Sequence, residues 1–179
     1  MTNKYNIQLT TFQDRDIALF AQWLGKEYFY KWFCCDGKEG EQAYIDGLEE
    51  KQSWLDQATN RDANPHRHLF IVTCDGNKIG FAVCIDLYGE PEYVEEHYPD
   101  LKGKIKAGEA LELNYGIGEE TYLNKGIGGI IIQKLEEYCR KQGAVLLLAD
   151  PNEENIPSVK VLVGNGFERY KVGDYRILL

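Results

Sequence analysis

One glycine-rich stretch has the composition of an anion-binding loop. The segment "YLNKGIGG", residues 122–129, places Gly126, Gly128 and Gly129 between a predicted strand and a predicted helix. The first N–H groups of a helix lack internal partners and attract anions, and glycines let a phosphate approach that backbone closely. Lys125 adds a positive charge beside them. The stretch therefore predicts a site for a pyrophosphate group.

Two well-known phosphate-binding patterns do not match this loop. A nucleoside-triphosphate loop requires Gly-Lys-Ser/Thr, which the sequence lacks, and a dinucleotide fingerprint requires a third glycine where Ile131 stands. An alternative interpretation needs no ligand, because glycines also form tight turns and allow a helix and a strand to approach each other closely.

The first half of the chain alternates strand-like and helix-like segments. Residues 6–11 alternate as a short strand, and Asp14 is predicted to cap a helix that carries Ile17, Leu19, Phe20, Trp23 and Leu24. A second helix is predicted over residues 41–58. Residues 68–88 predict two strands joined by a turn at Asp75-Gly76-Asn77, and residues 89–109 predict a loop or short helix.

The second half predicts a strand, a helix and a buried strand in succession. "ALELNYGI" precedes the glycines, and Glu112 and Asn114 share one face of it because strand side chains alternate. The next helix is predicted to stop at Gly143, before the apolar run "AVLLLA". A helix over 155–164 and a strand in "DYRILL" complete a single predicted α/β domain, residues 1–179, with a mixed sheet.

Composition excludes several classes of protein. The formal net charge of −9 disfavours nucleic acid and favours a cationic partner, although the charge can also serve solubility alone. No apolar run suggests a membrane span or a signal peptide, so we expect a cytoplasmic protein. The five cysteines predict free thiols, and His66 and His68 lack a third candidate ligand, so no metal is expected.

Residues 110–167 resemble the acetyl-coenzyme A core of the GNAT superfamily of N-acetyltransferases. "LNKGIG" is similar to that family's Gln/Arg-x-x-Gly-x-Gly/Ala loop, although Leu123 replaces the Gln or Arg. "DPNEENIPSVKVLVGNGF" resembles the family's Asn-x-x-Ala/Ser helix and Gly-Phe pair, with Asn155, Ser158, Gly166 and Phe167 in place. The resemblance implies a mixed, mostly antiparallel central sheet with a βαβ acetyl-CoA-binding core and flanking helices.

A further likeness is to the aminoglycoside 6'-N-acetyltransferases, seen in "IGEETYLNKGIG", "ADPNEEN" and "FAQWL". It implies that main-chain groups of one segment hold the pantetheine arm, that the glycine loop holds the pyrophosphate, and that Asn155 reaches the arm from the far side. The residues so implied are Gly116, Ile117 and Gly118 for the arm, and Asn124, Lys125, Gly126, Ile127, Gly128 and Gly129 for the pyrophosphate.

The same resemblance suggests a catalytic base. Asn114 stands where the aminoglycoside enzymes carry an Asp base, whereas Glu112 matches the catalytic Glu of histone-type GNAT enzymes. Because an amide is not a useful proton acceptor, Glu112 is predicted to act as base, directly or through a water. Alternatively, Glu112 is a solvent-facing residue or the partner of a lysine. Leu162 stands where many GNAT enzymes place a Tyr acid.

The implied function is acetyl transfer from acetyl-CoA to a primary amine of a small cationic substrate, possibly an aminoglycoside, which would confer antibiotic resistance. The alternatives are a protein or peptide N-acetyltransferase and a non-catalytic coenzyme A-binding sensor. Whatever its function, the protein is expected to be a monomer or a homodimer. Six carboxylates between Asp86 and Asp100 are either the lining of a polycation cleft or a solvated loop. The aromatic run at residues 27–33 either flanks the amine or fills the core.

Overall fold

The structure is a computed structural model that describes residues 4–179. Its centre is a seven-stranded sheet with the order β1-β2-β3-β4-β5-β7-β6, in which β4 and β5 form the one parallel pair. This arrangement confirms the predicted mixed, mostly antiparallel sheet with a βαβ core. The strands are β1 (Ile7–Thr11), β2 (Arg67–Cys74), β3 (Asn77–Asp86), β4 (Ala110–Ile117), β5 (Leu146–Ala149), β6 (Glu168–Lys171) and β7 (Asp174–Leu178).

Helices cover both faces of the sheet. Alternate residues of β2 illustrate this, because Phe70 and Val72 pack with α5 and α6 whereas Leu69 and Ile71 pack with the first three helices. The α-helices are α1 (Ile17–Leu24), α2 (Glu27–Phe33), α3 (Glu41–Thr59), α4 (Pro91–His97), α5 (Ile127–Gln142) and α6 (Ile156–Gly164). None of the helices in residues 4–179 is both long and apolar enough to span a membrane.

Most predicted elements are confirmed, with one error at a helix start. The hairpin turn holds Asp75 and Gly76 at φ angles of 51° and 84°, and Gly143 ends α5 at a φ of 96°. Asp14 does not cap α1, because residues 14–16 form a 3-10 turn first. The Asp16 carboxylate instead accepts the Gln13 amide at 2.8 Å. The predictions did not include α2 as a helix or β6 as a strand.

Two glycines, Gly116 in β4 and Gly118 just after it, allow aromatic rings to rest on the main chain. A Cβ built on Gly116 would lie 2.3 Å from the Phe29 ring, and one built on Gly118 would lie 2.2 Å from the Trp23 ring. Both rings are buried in the core that α1 and α2 form with the sheet. The aromatic run in α2 therefore supplies core packing at this point, which was one of its two predicted roles.

Gly118→Ala is expected to destabilise the protein by about 1–3 kcal/mol, because the added methyl group must displace the buried Trp23 ring. Urea unfolding measures the loss. Gly164→Ala is the matched control, since no heavy atom lies within 4 Å of a Cβ at that position. Equal free energies of unfolding for the two variants would contradict this packing.

Candidate active site

The sheet opens between β4 and β5. Their pairing runs from Ala110↔Leu146 to Glu112↔Leu148, after which β4 continues to Ile117 while β5 ends at Ala149. The Gly118 amide donates to the Ile79 carbonyl on the β3 side, 2.7 Å away. Because successive residues direct their main-chain groups to opposite sides of a strand, those of Tyr115 and Ile117 face the opening.

The three residues predicted to hold the pantetheine arm are therefore not equivalent. The Ile117 amide faces the opening, and its carbonyl accepts the Tyr28 hydroxyl at 3.0 Å. Gly116 directs its main-chain groups toward β3. The Gly118 amide is bound by Ile79, and its carbonyl accepts Lys26 Nζ at 2.7 Å. In this arrangement Ile117 has the main-chain donor best placed to meet a ligand in the opening.

A narrow groove of about 120 Å³ follows the opening. Asn155 lies on its wall, where its side-chain oxygen caps α6 by accepting the Ser158 amide at 3.4 Å. Leu162, which stands where many GNAT enzymes place a Tyr acid, also lines the groove and is only 2% exposed. The groove therefore has an amide on one wall and no acid at that position.

The glycines of the loop serve two different purposes. Gly126 precedes α5 at a φ of 75°, with no heavy atom within 4 Å of a Cβ built there, so space for a ligand remains beside it. Gly128 lies under Tyr115 and Val161, 2.9 and 3.2 Å from such a Cβ, and allows close helix packing. Asn124 also takes a positive φ, 58°. The packing interpretation thus applies to Gly128 and not to Gly126.

The start of α5 is electrostatically suited to an anion. The first turn, which begins at Ile127, contains no acidic side chain, and its N–H groups have no partners within the helix. Lys125 precedes it, with its ammonium 5.6 Å from the centre of the Tyr122 ring. Open space, free amides and a lysine are the features that a pyrophosphate requires, so these residues fit the phosphates of coenzyme A.

A second cavity, of about 540 Å³, adjoins the groove and extends between the sheet and helices α2 and α3. We call it the acidic cavity, because five carboxylates and one guanidinium line it. The carboxylates are Asp36, Asp46, Glu50, Glu112 and Asp150, and the guanidinium is Arg67. Arg67 donates to Glu90 at 2.5 Å and also bonds Gln57, so its charge is already compensated. The cavity therefore has an excess of negative charge.

Glu112 forms the buried floor of the acidic cavity. Its side chain is 3% exposed. The hydroxyls of Tyr93 and Tyr98 donate to Oε2 at 3.0 and 2.7 Å, and Asn114 Nδ2 donates to Oε1 at 3.2 Å. Among residues 4–179 no salt bridge to Glu112 is formed. Neither alternative considered for it, a solvent-facing residue or a lysine partner, describes its position.

The two tyrosines keep their protons beside this carboxylate. Burial raises the pKa of both Tyr93 and Tyr98 well above the ordinary range, and the charge of Glu112 raises it further. The hydroxyls therefore remain donors at any physiological pH. The three donated hydrogen bonds fix the orientation of the Glu112 carboxylate.

Tyr98→Phe is expected to lower the free energy of unfolding by about 1–3 kcal/mol, because the buried Glu112 carboxylate loses its shortest hydrogen bond. Chemical denaturation at pH 7 measures the loss. Tyr170→Phe, at an exposed tyrosine of β6, is the comparison and is expected to cost less than about 0.5 kcal/mol. A Tyr98→Phe protein as stable as the wild type would show that the bond is energetically neutral.

Asp150, at the end of β5, lines both the acidic cavity and the groove. Trp32, Phe33, Asp36 and Asn114 also belong to both linings, so the two cavities meet between α2 and the strands β4 and β5. Asp150 is exposed on the cavity wall, yet the surrounding protein removes part of its solvation; this raises its pKa well above its ordinary value, and the negative charges of Glu112 and Asp36 add to the rise. Asp150 is thus the carboxyl group at the junction with increased basicity.

The loop that follows α2 is tied to the loop that follows β5. Asn152 Nδ2 donates to the Asp36 carbonyl at 2.7 Å and contacts its carboxylate at 3.3 Å. Asp36 adopts a positive φ of 48° there. These contacts hold Asp36 beside Asp150, although the two residues are far apart in the sequence.

The carboxylates between Asp86 and Asp100 do not line the acidic cavity, so the prediction of a polycation cleft there is wrong. Asp86 accepts the amides of Tyr88 and Gly108 at 3.1 and 2.8 Å. Three others form ion pairs, namely Glu90 with Arg67, Glu95 with Lys102, and Asp100 with Arg176. Hydrogen bonds to main-chain amides and ion pairs thus account for four of the six carboxylates.

Two further kinds of chemistry find no support. Burial raises the pKa of Cys34, which lines the acidic cavity, to about 12, so the residue stays a thiol and is a poor nucleophile. In the described part of the chain, residues 4–179, no group of three or more His, Cys, Asp or Glu side chains is placed to hold a metal ion.

Comparison with known proteins identifies the family. The acetyltransferase (GNAT) domain matches residues 6–168. The aminoglycoside acetyltransferase AAC(6')-Ib with coenzyme A is similar over 97% of this chain and 95% of its own, at 17% identity and a TM-score of 0.72. Its complex with ribostamycin and coenzyme A gives a TM-score of 0.73, at 17% identity over 97% and 93%.

A more distant likeness is to the N-acetyltransferase PseH of Campylobacter jejuni, at 19% identity and a TM-score of 0.58, covering 97% of this chain and 96% of that one. At such identities the structural matches establish the fold, and the family match over most of the chain establishes the family. The chain belongs to the GNAT acetyltransferase family and is an acetyl-coenzyme A-dependent N-acetyltransferase.

Proposed function

We propose that the protein transfers an acetyl group to a primary amine of a small, multiply charged cation bound in the acidic cavity. The observation that carries this proposal is the excess of carboxylates in that cavity, whose floor, Glu112, is buried without a cationic partner. A buried charge that lacks compensation is costly, and an ammonium group of the substrate would supply the compensation. The aminoglycosides bound by AAC(6')-Ib are molecules of this class.

On this proposal, the two substrates approach the opening in the sheet from different sides. Asn124, Lys125, Gly126, Ile127, Gly128 and Gly129 would hold the pyrophosphate on the α5 side, with the Ile117 amide and Asn155 along the pantetheine arm. When bound, acetyl-CoA supplies the acetyl group as a thioester. The amine would approach from the α2 and α3 side, so that the two meet beside Asn114 and Asp150.

The proton from the ammonium group requires an acceptor, because only the neutral amine has a lone pair. The Glu112 carboxylate is already bound by three donors, which occupy both of its oxygens. Asp150 has a raised pKa and lies at the junction. We therefore assign proton acceptance to Asp150. Glu112 attracts the ammonium group and, through its charge, increases the basicity of Asp150.

Asn114 has a different role in this mechanism. Its Nδ2 is bound to Glu112, which leaves its side-chain oxygen as an acceptor at the junction. That oxygen can bind an N–H of the acceptor amine and orient it, without accepting its proton. The thiolate of coenzyme A can be protonated by solvent, since a thiol with a pKa of about 8.5 is a fair leaving group.

Steady-state release of coenzyme A tests the proposed function. The substrates are kanamycin, spermidine, a peptide with a free N-terminus, and benzylamine as a singly charged amine. We expect kcat/KM to rise with the number of ammonium groups and to fall with added salt. A higher kcat/KM for the peptide than for either polycation would favour a protein or peptide acetyltransferase. Binding of acetyl-CoA without turnover of any amine would favour a sensor.

A further inference from the structure

Three hydrogen bonds from the start of α2 hold the end of β4. The Tyr28 hydroxyl donates to the Ile117 carbonyl at 3.0 Å, and Lys26 Nζ donates to the Gly118 carbonyl at 2.7 Å. Lys26 Nζ also donates to the Glu119 carboxylate at 3.2 Å. The strand end, which extends beyond its pairing with β5, is thus supported from outside the sheet, mainly through its carbonyl groups.

The main-chain groups at the opening are therefore unequally occupied. The Gly118 amide is bound to the Ile79 carbonyl at 2.7 Å, and the carbonyls of Ile117 and Gly118 already accept side-chain donors. The Ile117 amide faces the opening, where β5 no longer pairs with β4. A ligand in the opening thus meets a main-chain donor that can bind a carbonyl group, and it meets the Tyr28 hydroxyl beside that donor.

The Tyr28 oxygen can act as an acceptor at this point. A hydroxyl has one proton and two lone pairs, and because a carbonyl cannot donate, the proton of Tyr28 lies toward Ile117. Burial raises the pKa of Tyr28 to about 12, and the charges of Glu120 and Glu119 add to the rise, so the hydroxyl stays protonated at physiological pH. The ring packs edge-on against Phe29, with ring centroids 6.1 Å apart, which limits its movement.

A donor and an acceptor side by side match a secondary amide of the coenzyme. The pantetheine arm joins the thiol of coenzyme A to its pyrophosphate and contains amide groups, each with an N–H donor and a carbonyl acceptor. Ile117 lies in the sequence between Asn114, at the junction of the cavities, and Gly126, in the phosphate-binding loop. We infer that Tyr28 is a coenzyme-binding residue, whose oxygen accepts the N–H of an arm amide while the carbonyl of that amide accepts the Ile117 N–H. This inference rests on the proposed placement of the arm in the opening.

Tyr28→Phe tests this role, because it removes the hydroxyl and keeps the ring. Calorimetry should show coenzyme A bound about fivefold more weakly, the effect of one neutral hydrogen bond. Adenosine 3',5'-bisphosphate, which lacks the arm, should bind as tightly as it does to the wild type. Tyr30→Phe is the matched control and should change neither affinity, since the Tyr30 hydroxyl of the same helix bonds to the Tyr44 carbonyl. Coenzyme A bound by Tyr28→Phe at wild-type affinity or tighter, or equal losses for the two ligands, would overturn the role.

The Ile117 amide signal of a ¹⁵N-labelled sample separates this inference from the placement of the arm. Coenzyme A should shift that signal and slow the exchange of the amide proton, whereas adenosine 3',5'-bisphosphate should leave both unchanged. A signal that does not respond to coenzyme A would contradict the placement and the role of Tyr28 together. A signal that responds, combined with full affinity of Tyr28→Phe, would contradict the role alone. Neither titration contains an amine, so the identity of the acceptor does not affect the outcome.

Discussion

Replacing Asp150 with asparagine is expected to lower kcat for a cationic amine by about 10²–10⁴-fold, because the amide cannot accept the ammonium proton. The affinity for coenzyme A should change little, because the phosphate-binding loop, residues 124–129, does not line the groove where Asp150 lies. In the wild type, kcat/KM should fall as the pH drops below the raised pKa of Asp150. Stopped assays across pH 5–9 measure the fall in kcat and the pH dependence of kcat/KM. Retention of full activity by Asp150→Asn would remove Asp150 from this role.

The same substitution should raise the melting temperature at neutral pH. The pKa of Asp150 is raised in the folded protein above its unfolded value of about 3.9, so the folded state holds a proton that the unfolded state releases. Stability is therefore lost as the pH rises from about 4 through the folded pKa, and asparagine avoids this loss. Asp62→Asn, at an exposed site outside the cavities, should change neither kcat nor melting temperature. A lower melting temperature for Asp150→Asn at pH 8 would contradict this electrostatic picture.

Gly129→Asp is expected to weaken acetyl-CoA binding by about 100-fold or more, because it places a carboxylate where the pyrophosphate would lie against the start of α5. Gly129 is the third residue of that helix, and a Cβ there meets only Asn165 Nδ2, at 3.4 Å. The free protein should gain about 0.3–1 kcal/mol, because an acidic side chain in the first turn favours the helix dipole. The loss of affinity would then not reflect unfolding.

Calorimetric titration with coenzyme A and thermal melting of the free protein measure the two effects of Gly129→Asp. Gly129→Ala is the matched control, since it adds the Cβ without the charge, and its affinity should stay within a few-fold of the wild type. An unchanged Kd for Gly129→Asp would exclude the start of α5 as the phosphate site. Equal losses for both variants would indicate steric exclusion, with no role for the dipole.

Much of the fold could be predicted because local patterns determine it. Glycines in left-handed conformations mark the hairpin turn at Gly76 and the end of α5 at Gly143, and the apolar run of β5 signals a strand covered on both faces. Strand β6 was not predicted, because all four of its residues are exposed and give no alternating pattern. Helix α1 begins later than predicted because Asp16, rather than Asp14, accepts the amide that opens the turn.

The candidate site was harder to predict because it forms between distant segments. The sequence identifies Glu112 as a candidate base. It does not show that Tyr93 and Tyr98 cover that carboxylate and donate hydrogen bonds to it. The Asp-Pro pair at Asp150 marks the end of a strand, whereas its position beside Asp36 depends on a contact through Asn152. The only sequence signal for this residue was the likeness of "ADPNEEN" to the aminoglycoside enzymes.

A crystal structure of the protein with coenzyme A and kanamycin would test most directly whether the two substrates meet through the opening between β4 and β5. We expect the pyrophosphate against the first amides of α5, the thiol beside Asn114 and Asp150, and an ammonium group of kanamycin in the acidic cavity. Coenzyme A bound away from α5, or kanamycin bound outside the acidic cavity, would contradict that arrangement.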